Sequence, residues 1–218
     1  QLKISKDHTA IAEAIRKKLQ IPINHLSESH NNPIHYFREK TSNIGVFVFF
    51  NGKVQDNTHR PLDPKEFRGF SLKSKKAPII FINQKDSPSA QLFTLVHELA
   101  HLFIDDEGIS HEDEQCIFDH IQTEALINQV TAEILVPRIL FERETNLNID
   151  DLSNKYKVSR CVIARRLLDF KKINKYEYDQ IIQSLKSDNT LRKRPTGGNY
   201  NTNIKFRIDN TFFRFVHN

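Results

Sequence analysis

Apolar residues recur along this chain in three distinct patterns. Residues 9 to 20 space Ile11, Ala14, Ile15 and Leu19 at helical intervals, with Pro22 beyond them as a stop, which predicts an amphipathic helix. Gly45-Val46-Phe47-Val48-Phe49-Phe50 and Ala77-Pro78-Ile79-Ile80-Phe81-Ile82 are short, β-rich apolar runs of strand length, and we expect the second to be a buried neighbour of the first. Asn51-Gly52 follows the first run and signals a hairpin leading into Lys53-Val54-Gln55. From Ser87-Pro88, a capping residue and a proline at the first helical position, a helix is expected to run to about Phe103, before Gly108. Its apolar residues lie almost all round, as in a core helix. Further helices are expected from about Phe118 to Leu135, stopping before Pro137, and over residues 150 to 183.

Into the otherwise apolar helix are set His97, Glu98 and His101. Burying three such groups is costly unless they are paired or hold an ion. Four residues apart, His97 and His101 project from one helix face and can ligate one metal ion. Glu98 beside them is placed to take a proton from a metal-activated water and pass it to a leaving amine, as in a zincin-type site. Two histidines leave a catalytic zinc one protein ligand short. Glu124 fits that place best on chemistry, with Asn128 at i+4 on the same face. His111, Glu112, Asp113, Glu114, Asp119 and His120 are its rivals.

Phe93-Thr94-Leu95-Val96-His97-Glu98-Leu99-Ala100-His101, Glu124-Ala125-Leu126-Ile127-Asn128 and Ala132-Glu133-Ile134-Leu135-Val136-Pro137, in that order, resemble the ImmA/IrrE family of bacterial and phage metallopeptidases. The resemblance covers roughly residues 35 to 175. It implies a two-histidine, one-glutamate centre of His97, His101 and Glu124, with Glu98 as the catalytic base and Asn128 as a motif residue. Asn128 either supports Glu124 from behind or makes a plain helix contact. The sequence departs from the family pattern at Ile127 and at Val130-Thr131, which are packing positions. Relatives of this type cut repressors or antitoxins, so the implied partner is a protein substrate, a DNA-binding regulator of helix-turn-helix type. Two histidines and a carboxylate suit Zn2+, and Mn2+ or Fe2+ also accept mixed nitrogen and oxygen ligands.

Ile149 to Phe170 reads as two helices broken near Lys157-Val158, the second capped by Ser159, and resembles a helix-turn-helix. Arg160, Arg165 and Arg166 are then the candidates for phosphate contacts, although a structural or partner-docking role is the simpler account. The tail mixes Lys205, Arg207 and Arg214 with Phe206, Phe212, Phe213 and Phe215. Such interleaving is compatible with single-stranded nucleic acid, but an element laid on the domain with its phenylalanines buried is preferred.

The expected fold is α+β and zincin-like: a small antiparallel or mixed sheet packed on the helix of the His-Glu-x-x-His motif, plus a helical, helix-turn-helix-like C-terminal subdomain. The expected division is a metallopeptidase domain over 1–145, the helical subdomain over 146–185 and a basic, aromatic segment over 186–218. Charge sharpens this division. Residues 186–218 hold seven Lys or Arg against two acids, a surplus equal to the whole net charge of +5. From Asp86 to Pro137 there are eleven acids and no Lys or Arg. Such a stretch can attract a metal cation or a basic substrate, although the acids of 105–114 read most simply as a solvated loop. An extended substrate is expected to line up beside a strand near Ile79 to Asn83. Cys116 and Cys161 are too few for a disulfide scaffold and read as reduced packing residues. With no apolar run of membrane length and no secretory pattern, the protein is expected to be cytoplasmic and without a membrane partner. It contains no methionine, and Gln1 is a poor residue to follow a removed initiator, so the sequence reads as part of a longer product. The alternative function is a DNA-binding or partner-binding regulatory module with a vestigial metal site.

Overall fold

The computed structural model describes residues 7–29, 32–57, 59–104 and 114–189, together with 207 and 212. It is an α+β arrangement of helices around one small sheet.

Helix α1, His8–Leu19, is capped by Asp7, whose carboxylate accepts the Thr9 N–H at 2.9 Å, and ends at Gln20 in the left-handed conformation. After the short α2, His25–Glu28, helix α3, Pro33–Asn43, starts with proline in its first turn and Asn32 as its cap. Three strands follow: β1, Phe47–Asn51; β2, Gly69–Leu72; and β3, Ile79–Asn83.

The sheet is mixed, in the order β1-β3-β2, with β3 parallel to β1 and antiparallel to β2. Asn51-Gly52 therefore does not open a hairpin. A tight turn at Val54–Asp56 follows β1, and Gln55 there takes a positive φ. The neighbour of β1 is β3, as its apolar run predicts, because Val48 pairs with Ile80 and Phe50 with Ile82, all fully buried on one face. Two-residue alternation puts Ser71 and Gly69 of β2 on that same face and Phe70 and Leu72 on the other. On the outer face Phe70 stacks on Phe81 with ring centroids 5.2 Å apart. The ring of Phe212 stands edge-on to Phe47 and Phe49 there, which matches the preferred account of the tail at that residue. Phe206, Phe213, Phe215, Lys205 and Arg214 lie outside the described residues.

Helix α4, Pro88–Ile104, packs across the inner face over β2 and β3. Ser87 accepts the Ala90 N–H, and the Gln91 amide donates to the carbonyls of Gln84 and Asp86, fixing how the chain enters the helix. Helix α5, Glu114–Leu135, lies between α4 and α1. It starts four residues earlier than expected. Leu95, Val96, Leu99 and Ala100 of α4 and Ile127, Val130 and Ile134 of α5 are fully buried in the core between these helices. Burial of large apolar side chains, each contributing about 1.5–3 kcal/mol, dominates the stability of such a packing.

Beyond α6, Arg138–Phe141, come α7, Ile149–Tyr156; α8, Arg160–Asp169; and α9, Lys175–Asn189. Ser159 caps α8 by accepting the Val162 N–H, and Lys157 takes the left-handed conformation that glycine would otherwise supply. Leu152, Tyr156, Val158, Ile163 and Leu167 are buried in the same core cluster as Ala12 and Leu99. Cys161 is exposed and is not a packing residue. No helix among the described residues is long and apolar enough to cross a membrane.

Candidate metal centre

Helix periodicity sets His97 and His101 one turn apart on the side of α4 that faces α5. Glu124, in the first half of α5, meets them there. The Nε2 atoms of the two histidines are 3.1 Å apart; His97 Nε2 is 3.4 Å and His101 Nε2 3.1 Å from the two carboxylate oxygens of Glu124. The histidine side chains are 16% and 18% exposed and Glu124 36%. A tetrahedral zinc with ligand atoms at about 2.0–2.1 Å holds neighbouring donors roughly 3.3–3.4 Å apart. The distance between the two ring nitrogens is close to an edge of such a tetrahedron, and each has one carboxylate oxygen of Glu124 at a comparable distance, so these residues fit a divalent ion.

The electrostatics agree with the geometry. Burial pushes the His97 imidazole below its ordinary pKa, and the neighbouring His101 adds to this, against the attraction of Glu124 and the hydrogen bond that the ring donates to Asn128. His97 is thereby kept neutral, the form that ligates a metal. Asn128, one turn after Glu124, thus touches His97.

Glu98 points from the adjacent position of α4 towards β2, where the Ser71 hydroxyl donates to its Oε2 at 2.9 Å. Burial raises its carboxyl above the ordinary value, against the hydrogen bonds from Ser71. Sequence reasoning did not find Ser71. It is 27 residues from Glu98, and its only local signal is an inward place in the alternation of a four-residue strand.

The rival third ligands are not comparable in the same way. His111, Glu112 and Asp113, with the side chains of Glu114, Asp119 and His120, lie outside the described residues, as does the rest of the acidic stretch 105–113. Among the described residues, His97, His101 and Glu124 form the cluster able to hold a metal.

Residues 42–168 match the family model described as the IrrE N-terminal-like domain, Peptidase_M78. The chain belongs to this family. Peptidase M78 is a family of metal-dependent proteases, and the match spans both α4 and α5 as well as the α7–α8 pair. No curated protein matches the chain. Among solved structures it is similar to a Mycobacterium tuberculosis transcriptional regulator, at 15% identity and a TM-score of 0.44, over 73% of this chain and 51% of that one. The chain thus spans about half the length of that structure.

For this M78 chain, the nucleic-acid candidates separate. Arg166 is not available to a phosphate: it is 3% exposed and donates to Glu133 and to the Val136 carbonyl inside the core. Arg160 is paired with Asp150 and Arg165 with Asp169, both nearer the surface. A helix whose inner arginine is spent on the core offers fewer cations to a groove than the sequence suggested.

Proposed function

We propose that this protein is a metal-dependent endopeptidase that cuts a peptide bond in a specific regulatory protein, a DNA-binding repressor or antitoxin. The observation that carries the catalytic part is the convergence of His97, His101 and Glu124 on one point, with the Glu98 carboxylate on the next position of the same helix. The donor set supports Zn2+, with Mn2+ or Fe2+ as the other ions these ligands accept. Bound there, a divalent ion would lower the pKa of a water molecule to about 7 and polarise the scissile carbonyl.

Within that scheme the chain's own residues divide the work. His97, His101 and Glu124 hold the ion, and Asn128 fixes the ring of His97. Glu98 accepts the water's proton on its carboxylate and returns it to the nitrogen of the leaving amine. The α4–α5 packing excludes solvent behind His97, which keeps it neutral.

The substrate class is supported by charge and by the sheet edge. The segment carrying the site has eleven acids and no Lys or Arg, so its field attracts the Lys- and Arg-rich surface of a DNA-binding regulator. A strand near Ile79–Asn83 cannot receive the substrate, because β3 already has neighbours on both sides. β2 is the sheet edge beside Glu98, and an extended chain bound there would lie next to the catalytic carboxylate.

Zinc-loaded protein should be incubated with regulators encoded beside it and with unrelated folded and unfolded proteins, at low and moderate salt. A single cut in one regulator, weakened by salt and absent in Glu98→Gln, is expected. Equally rapid digestion of casein-like unfolded chains would refute the regulator specificity while leaving the peptidase. The burial of Arg166 counts against a DNA-binding module as the main activity.

A further inference from the structure

A glutamate at the surface of a helix samples several rotamers, and a carboxylate that must meet one water and one nitrogen gains from being held in one of them. Glu98 is held from outside its own helix. Ser71, inward-facing on β2, donates its hydroxyl to Glu98 Oε2 at 2.9 Å, and its backbone N–H bonds the same carboxylate.

The spacing that makes this contact possible is set two residues earlier. A Cβ on Gly69 would lie 2.6 Å from Thr94 Cγ2 and 2.7 Å from the Phe81 carbonyl oxygen, so only glycine lets β2 come this near α4. From Gly69 to Ser71 the strand advances about 6.6 Å, and from Thr94 to Glu98 the helix advances about 6 Å. The close approach at Gly69 and Thr94 is thus repeated one step on, at Ser71 and Glu98. Among the described residues β2 is also a sheet edge, so the strand that holds Glu98 is the one an extended substrate would join.

We propose that Ser71 is a positioning residue of the peptidase, holding the Glu98 carboxylate in its working rotamer at a strand-to-helix distance fixed by Gly69. This rests on the assignment of Glu98 as the proton carrier. No activity assay is needed to test it.

The full chain would be studied as wild type, Ser71→Ala, Ser71→Thr, Glu98→Gln and the Ser71→Ala/Glu98→Gln double variant. The measurements are the carbon-13 resonance of the Glu98 carboxyl in metal-free protein, zinc per chain, and calorimetric affinity of the zinc-loaded protein for acetohydroxamic acid. This small acid binds zinc and passes a proton to a neighbouring base. Ser71→Ala is expected to move the Glu98 resonance, keep zinc at the wild-type ratio and weaken the hydroxamate about tenfold, because the carboxylate is no longer held where it meets the ligand's proton. Ser71→Thr should restore both. In the Glu98→Gln background Ser71→Ala should add nothing. An unmoved Glu98 resonance, a wild-type hydroxamate affinity in Ser71→Ala, or a loss that adds to that of Glu98→Gln would overturn the role of Ser71 alone. A wild type that takes up neither zinc, manganese nor iron would overturn the peptidase assignment and, with it, this role.

Discussion

Glu133 and Arg166, 33 residues apart in sequence, form a 2.6 Å ion pair with side chains only 5% and 4% exposed. The second carboxylate oxygen of Glu133 accepts the Arg138 N–H, and the guanidinium of Arg16 donates to the carbonyls of Glu133 and Ile134. One glutamate on the metal-site helix therefore ties α1, α5, α6 and α8 together. Removing one partner strands the other charge in the core. Glu133→Ala is expected to cost about 3–5 kcal/mol of unfolding free energy, whereas the apolar pair Glu133→Leu with Arg166→Met should cost much less. Urea unfolding of the two variants decides it, and equal losses would show that the pair is a surface-like contact.

Glu98→Gln should keep the wild-type amount of zinc and lose at least about a hundredfold in cleavage rate, because the amide cannot accept the proton. Metal analysis beside a cleavage assay separates the two effects. Loss of metal would make Glu98 a ligand.

His97→Ala, His101→Ala and Glu124→Ala should each lose most of the bound zinc, since a catalytic zinc is held by three protein ligands. Dialysis followed by metal analysis gives the stoichiometry. Full retention in Glu124→Ala would move the third ligand to Glu112, Asp113 or His120.

His25 is 1% exposed, and burial, helped by the charge of Arg16, pushes its imidazole down to about 4 from 6.5. The unfolded chain therefore binds the proton more readily than the folded one. The stability is complete above about pH 6.5 and is lost as the pH falls to about 4, a total of about 3 kcal/mol. His25→Leu should flatten the stability profile across that window relative to wild type. Urea midpoints at pH 7.5, 6, 5 and 4 measure it, and parallel profiles would show that His25 is protonated at no cost.

Local features of the sequence predict much of this architecture. The two histidines four apart, the Ser87-Pro88 start, the Ser159 cap and the paired apolar runs of β1 and β3 each depend on neighbours within a turn or on strand alternation. The family motif carried Glu124, and the fold places it against both histidines. What depends on distant partners was not legible. Asn51-Gly52 has hairpin chemistry, yet β3 offers β1 a better apolar match than any local return. Arg166 has the look of a solvated helix cation until Glu133 is brought beneath it. Lys157 supplies a left-handed turn where glycine is usual, yet the break near Lys157-Val158 was still legible from the Ser159 cap that follows it. Ser71 carries no motif at all.

The place of β3 in the middle of the sheet has a consequence for how the chain comes to be folded. During synthesis β1, with Phe47, Val48, Phe49 and Phe50, is made some thirty residues before the strand that will cover its edge. β2 and β3 are joined by a short connection and can zip locally, but β1 must wait for a non-local, parallel pairing, which is the slow kind. Until then its apolar backbone edge stays open to other nascent chains. The last strand to be made is therefore the one that closes the sheet. The surface on which α4 packs does not exist until that step is complete, so a half-made chain carries the motif without the means to hold an ion in a defined place.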